Sequence, residues 1–261
     1  MRALLLAAAF AVPVLAADAP KAKPAGKPKP AAKPAPPAVA ASTAAFAWAS
    51  TAPLTVADVL AHYEAMDAAL VSLSARFEQS MTMKETGVAS RVEGTLAYKK
   101  PDRLRIEHSR PEPQVVVADG KDIWIHRVER KQVVQASLAD WKKADPAIGN
   151  LMEFGSYAKL LRTYDVALDT GAARAALVLT PKTSSAPAPG APPARDLTLR
   201  LVLSPDSLFP ESTELVVGSL NVRTAFADTA FNPVLDDKAF VFTPPADADV
   251  FRDFKPPKFE P

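Results

Sequence analysis

Side chains that could carry out chemistry are few and scattered in this sequence. The histidines are His62, His108 and His126, and no two of them have the spacing that places metal ligands on one helix face. Cysteine is absent, which excludes disulfides, thiol nucleophiles, cysteine-bound metals and a lipidated N-terminal cysteine. No nucleophile elbow, phosphate loop or dinucleotide fingerprint occurs, and Asp236-Asp237 is more typical of a turn than of a metal site. The sequence therefore predicts no catalytic residue, no metal site and no cofactor, and it favours a binding protein over an enzyme.

Composition sets broad limits on the class of protein. The 261 residues leave room for one large domain or two small ones, and 48% of them are hydrophobic, enough for a sizeable core. The 31 basic residues nearly balance the 29 acidic ones, giving a net charge of +2. This balance argues against a nucleic-acid partner.

The N-terminus has the pattern of an export signal. Arg2 precedes an apolar stretch over residues 4–12, and small residues follow near Ala16 and Ala17. The pattern predicts a signal peptide over residues 1–16 and a protein that is exported. The alternative is an uncleaved N-terminal anchor.

A linker rich in alanine, proline and lysine follows over residues 17–50 and is predicted to be disordered. Two interpretations of its lysines stay open: a basic tether for anionic lipid or peptidoglycan, or a plain spacer. The folded domain is predicted over residues 51–252, with a C-terminal tail over 253–261.

The elements of this domain change period along the chain. Apolar residues recur at helical spacing over residues 56–73, with Thr55 as N-cap, and this predicts one amphipathic helix. From residue 91 onwards the period becomes two, which predicts about ten strands. Residues 138–162 lack alternation and predict one or two short helices, and residues 184–194 predict a flexible loop.

One hairpin is apolar on both faces. In VVVADGKDIWIH, residues 115–126, Asp119-Gly120 predicts a tight turn between two apolar arms. Ile123 and Ile125 share one face and Trp124 lies on the other. Both faces are therefore expected to be covered, and the alternation alone does not decide which is concave.

Together these elements predict a mainly β (α+β) fold in which an antiparallel meander curls into a barrel or half-barrel. The aromatic residues of this sheet and its insertion either form an ordinary core or line a ligand cavity; few covering elements favour the cavity. They are Phe77, Tyr98, Trp124, Trp141, Phe154, Phe226, Phe240 and Phe242.

Five motifs resemble the LolA-like family of periplasmic outer-membrane lipoprotein carriers when taken in order. They lie at residues 77–82, 94–107, 115–126, 177–182 and 240–245. The resemblance runs from about 54 to 252. It implies an unclosed antiparallel β-barrel of about ten or eleven strands, with an N-terminal helix and a short helical lid over a hydrophobic cavity that holds acyl chains without chemistry.

The resemblance and the alternation together predict the ligand-binding wall of this cavity. Its residues are Phe77, Leu96, Tyr98, Leu104, Ile106, Val115, Val117, Ile123, Trp124, Ile125, Leu199, Leu201 and Phe226. In the family an arginine before a turn proline latches the lid; Lys100 occupies that place here, with point donors instead of a planar fork. Leu104 stands where a large aromatic is common. These departures, with the long linker and the 184–194 loop, favour a specialised paralogue that handles another envelope lipid.

The resemblance also implies partners and a place. The cargo is a lipoprotein or lipid, an inner-membrane transporter releases it, and an outer-membrane acceptor receives it through transient membrane-protein contacts. The chain is expected to be a periplasmic monomer. Two alternatives remain: an envelope-stress sensor that binds mislocalised lipoproteins or a regulatory membrane protein, and an enzyme that acts on a lipid or glycan inside the barrel.

Overall fold

A single antiparallel sheet dominates the fold. The computed structural model describes residues 46–50, 52–144, 157–162, 164–182, 197–252 and 254. The strands of these residues are β1 (Ser72–Met83), β2 (Ala89–Lys99), β3 (Arg103–Arg110), β4 (Gln114–Asp119), β5 (Asp122–Arg127), β6 (Gln132–Ser137), β7 (Tyr164–Asp169), β8 (Ala176–Pro181), β9 (Leu197–Leu203), β10 (Pro210–Val217), β11 (Leu220–Phe231) and β12 (Asp249–Phe251).

The sheet is open. Its strand order is β12-β6-β5-β4-β3-β2-β1-β11-β10-β9-β8-β7, so β12 and β7 form its two edges. All neighbours are antiparallel except β12, which runs parallel to β6. The predicted unclosed antiparallel fold is confirmed. Two strands lie beyond the predicted set: β12, which is short, and β1, whose apolar alternation is interrupted by Gln79.

Helical segments accompany the sheet, and four are bounded within the described residues. They are α1 (Val56–Ala69), α2 (Leu138–Ala144), α3 (Tyr157–Leu161) and a 3-10 helix (Asp237–Phe240). Thr55 and Asp58 form a capping box at the start of α1, because each side chain accepts the backbone N–H of the other, at 3.2 and 3.0 Å. In the part of the chain that the structure describes, no helix combines the length and apolarity needed to cross a membrane.

The prediction that α1 runs to residue 73 is wrong. The helix ends at Ala69, and β1 begins at Ser72. The side chain of Asn232 binds this helix end. Its Nδ2 donates to the carbonyl of Ala69 at 3.0 Å, and its Oδ1 accepts the N–H of Val71 at 2.7 Å. The first bond satisfies a carbonyl that the helix end leaves free, and the second holds the residue that precedes β1. The partner comes from the end of β11, so local spacing could not indicate it.

Register sorts the residues of each strand onto two faces, because successive side chains point to opposite sides. We call the face that carries the main hydrophobic core the inner face. One inner row crosses six strands through mutually paired, buried residues. It consists of Leu73, Tyr98, Leu104, Ala118, Ile123 and Ala136.

The outer face of β3–β6 is covered by the chain that follows β11. The 3-10 helix packs on β3 and β4, and its Ala239 carbonyl accepts a hydrogen bond from Arg105 at 3.1 Å. The Phe242 ring lies 5.7 Å from that of Trp124. The hairpin at residues 115–126 is thus covered on both faces, as expected, and its Ile123 and Ile125 lie on the inner one.

The packing of β1, β2 and β3 requires glycine at position 94. A Cβ there would lie 2.2 Å from the carbonyl oxygen of Glu107 and 2.8 Å from Cζ of Phe77. We expect Gly94→Ala to lower the free energy of unfolding in urea by about 1–3 kcal/mol, since backbone must shift. Gly171→Ala is the control, because its Cβ would meet only ordinary contacts. Equal stability of the two variants would contradict this account.

Candidate functional site: the inner face and its rim

The inner face brings together all but three of the residues predicted to line the site. Those it collects are Phe77, Leu96, Tyr98, Leu104, Ile106, Ile123, Ile125, Leu199, Leu201 and Phe226. Only Phe226 among them is partly rather than fully buried. They come from six strands, and together they belong to one continuous apolar surface.

Val115, Val117 and Trp124 lie on the outer face instead. Val117 pairs with Trp124 across β4 and β5, and both side chains point away from the inner core. Val117 is fully buried and Phe242 contacts Trp124, so the C-terminal segment accounts for their apolar character. Arg252 completes this cover, with its guanidinium carbon 5.8 Å from the centre of the Trp124 ring.

The helices α1, α2 and α3, and Phe46, which precedes them in the chain, cover the inner face. α1 contacts α3 and β7, α2 contacts β5 and β6, and α3 contacts β7. The buried side chains of this cover are Phe46, Val59, Tyr63, Met66, Leu138, Trp141, Tyr157, Ala158 and Leu161. The predicted helices over 138–162 therefore do cover the sheet. Phe154, one of the predicted aromatics, lies outside the described residues.

Phe46 changes where the folded part begins. The sequence predicts a disordered linker over residues 17–50, yet the side chain of Phe46 is 1% exposed and belongs to the inner core. Composition could not identify this residue, because one buried side chain hardly changes the average composition of an alanine- and proline-rich segment. The predicted signal peptide lies outside the described residues.

Lys100 ties the sheet to α1. Its Nζ donates to the backbone carbonyl of Asp67 at 2.7 Å. The last carbonyls of a helix have no partner within it and carry partial negative charge, so a cation there is stabilising. α1 has no basic residue in its own last turn. Lys100, from the turn between β2 and β3, supplies that charge.

Asp67 extends the connection to α3. Its Oδ2 accepts the backbone N–H of Ala158 at 2.9 Å. Burial raises the pKa of Asp67, while the amides of Ala158 and Tyr157 and the charge of Lys100 partly offset the rise. Arg162 beyond α3 forms an ion pair with Glu64 of α1. These contacts hold the two helices together along one polar edge.

Asp102 ties the same turn to α2. Its Oδ1 lies 2.6 Å from Nζ of Lys142. The turn therefore holds α1 through Lys100 and α2 through Asp102, and we call Asp67, Lys100, Asp102, Lys142 and Ala158 the polar rim. Asp102, Lys142 and Asp67 were missed by sequence reasoning. Their partners are 40 and 91 residues distant in the chain, so no local pattern marks them.

Polar side chains also lie on the inner face. Gln79 donates to the hydroxyl of Thr224 at 2.9 Å, and both side chains are buried. His108 lies edge-on to Phe77, with ring centres 5.9 Å apart, and burial lowers its pKa to about 4. His108 is therefore neutral at neutral pH. Within the described ranges, no cluster of three His, Asp or Glu side chains could hold a metal ion.

Known proteins resemble this chain. Residues 68–188 match the family model described as outer membrane lipoprotein carrier protein LolA. An outer-membrane lipoprotein carrier protein of Hahella chejuensis is 27% identical over 214 residues, covering 78% of this chain and 96% of that protein. A protein of the same name from Dechloromonas aromatica is 38% identical over 79 residues, covering 30% of this chain and 35% of that protein.

A solved structure is also similar. The crystal structure of a LolA superfamily protein from Nitrosomonas europaea aligns over 73% of this chain and 99% of its own, at 12% identity and a TM-score of 0.38.

The contact of Lys100 with α1 can be tested by hydrogen exchange. We expect Lys100→Met to speed amide exchange at the end of α1 and in α3 about fivefold, since a half-exposed charged hydrogen bond contributes about 1 kcal/mol. Lys99→Met is the matched control, because Lys99 pairs with Asp237 beside the outer-face cover, at 2.6 Å. An equal effect of both variants on α3 would show that Lys100 has no special role.

Burial of neutral His108 predicts a loss of stability in acid. The pKa is about 4 in the folded state and about 6.5 in an unfolded chain. Between these values the unfolded state binds the extra proton, so stability falls as pH falls through this window, by roughly 2–3 kcal/mol. Urea unfolding measured across this range should show the loss.

His108→Gln should remove this part of the pH dependence. The raised pKa of Asp67 acts in the opposite direction, and the lowered pKa of His126 acts in the same direction. The wild type and the variant both contain Asp67 and His126. The difference between their curves of stability against pH therefore reports His108 alone. Parallel curves would contradict the assignment.

Proposed function

We propose that this chain, whose motifs resemble the LolA-like family, binds the acyl chains of a lipoprotein, or of another envelope lipid, on the inner face of its sheet. The observation that carries the proposal is the continuous apolar surface that runs through paired residues from Leu73 to Ala136. A surface of this kind suits a ligand that is apolar along its whole length. The binding requires no covalent step.

The energetics favour such a ligand. Each methylene group removed from water contributes about 0.8 kcal/mol, so a long acyl chain gains several kcal/mol on this face. The cargo must first displace side chains that now cover the face, such as Tyr63, Met66 and Trp141. The net affinity is then the free energy gained by burying the acyl chain minus the free energy lost when the displaced side chains leave the face. This difference allows both loading and release.

The polar rim supports a cover that moves. Its hydrogen bonds and its ion pair between Asp102 and Lys142 join helices to one turn, and these side chains are partly exposed to water. Such contacts define a closed position at modest free energy. In this proposal Lys100 is the latch of the lid, and opening breaks its bond to the Asp67 carbonyl.

The proposed setting is the periplasm. Residues 1–16 would direct export, and the chain would receive its cargo from an inner-membrane transporter and pass it to an outer-membrane acceptor. The curated relatives are named outer-membrane lipoprotein carrier proteins. That naming supports transport between membranes, with the long linker and the 184–194 loop as features of a specialised carrier.

A binding experiment tests the proposal. Delipidated protein is titrated with palmitic acid that carries a fluorophore, and we expect saturable binding. Leu104→Asn should weaken this binding about tenfold or more, because it leaves an unpaired amide on the inner face. Val117→Asn is the matched control, since Val117 is equally buried on the outer face. It should leave the dissociation constant within about twofold.

Circular dichroism of both variants shows whether each is folded. A wild-type protein that binds no acyl probe would refute the proposal. Mass spectrometry of the natively purified protein provides a second test, in which acyl lipids or lipoproteins should be recovered. Recovery of a regulatory membrane protein without lipid would favour the envelope-stress sensor instead.

A further inference from the structure

Three phenylalanines form an aromatic corner at one end of the inner face. Phe231 ends β11, Phe209 precedes β10, and Phe226 lies within β11. The Phe209 ring lies 5.2 Å from that of Phe231 and 6.5 Å from that of Phe226. All three also line a groove of about 170 Å³ that opens to solvent. The aromatic corner therefore joins the buried core to the surface.

Phe46 occupies the core side of this corner. Its ring stacks on Phe231 with centres 4.6 Å apart and planes 24° apart, and its side chain is 1% exposed. Phe46 belongs neither to the sheet nor to α1–α3. It enters the core from a segment whose neighbours Ala47, Ala49 and Ser50 are exposed.

Trp48 also connects this segment to the domain. The N–H of Trp48 donates to the carbonyl of Asp206 at 2.7 Å, and the Trp48 ring lies edge-on to His62 with centres 5.4 Å apart. Trp48 itself is partly exposed. A short segment with one buried ring can leave its site without unfolding the sheet, since local opening is easiest where buried contacts are few.

We propose that the aromatic corner is an acyl-binding subsite and that Phe46 occupies it as a plug, which an acyl chain displaces on loading. The inference rests on the proposed function. About two to four methylene groups gain as much transfer free energy as one buried phenylalanine ring, so a long acyl chain can outcompete Phe46. The groove provides the way in beside Phe226. Loading then releases the N-terminal segment from the domain.

Removal of the plug should tighten binding. In the full-length delipidated protein, Phe46→Ala should lower the dissociation constant for fluorophore-labelled palmitic acid about tenfold, because the subsite is then free in most molecules. Trp48→Ala, which loosens the segment and leaves the Phe46 ring in place, should lower it about threefold by the same competition.

Phe240→Ala is the matched control. Phe240 is also 1% exposed, and the 3-10 helix that contains it packs on the outer face of β3 and β4. Its loss should reduce stability without changing the affinity for the probe. If Phe46→Ala leaves the affinity unchanged or weakens it while the wild type binds, only the plug is overturned. If the wild type binds no acyl probe, the proposed function fails with it.

A distance measurement tests displacement with Phe46 intact. The chain has no cysteine, so Ala49→Cys and Glu85→Cys can carry the only spin labels. Pulsed EPR should give a narrow distance distribution without palmitic acid and a broad one with it. The control pair, Val128→Cys with Glu85→Cys, lies in two turns of the sheet and should not change. An unchanged Ala49 distribution at saturating palmitic acid would overturn the plug.

Discussion

Burial of one apolar face is the constraint on which this structure depends. The sheet ends at β12 and β7, so it does not bury its inner face by closing on itself. A continuous apolar surface that is left in water is costly. The cover must therefore come from outside the sheet, and α1, α2, α3 and Phe46 provide it. Their positions follow from the shape of the surface that they bury.

Two kinds of contact hold the cover, and they differ in what can replace them. On the inner face the contacts are apolar and have little directional preference, so the methylene groups of a ligand can substitute for side chains such as Met66. At the polar rim the contacts are directional, as in the bond from Lys100 to the Asp67 carbonyl. The first kind makes exchange possible, and the second gives the closed state a defined geometry.

The outer face is covered in a more permanent way. Its cover is the chain itself after β11, which ends in β12 and is joined to β6 by backbone hydrogen bonds. The same hairpin shows both kinds of cover, because Ile125 faces the inner core and Trp124 faces Phe242. Displacement of the outer cover would also remove the edge strand. This asymmetry supports the proposal that a ligand binds on the inner face.

The sequence by itself determined all the described strands except β1 and β12, their alternation, the turn at Asp119-Gly120 and the short covering helices, because these depend on neighbours in the chain. The alternation also marked Leu104 and Ile106, and the family resemblance marked Lys100. Only the tertiary structure decided the end of α1 at Asn232, the face that Val117 occupies, the partners of Asp67 and the burial of Phe46. Each of these depends on a residue distant in sequence, and alternation identifies two faces of a strand without stating what covers either.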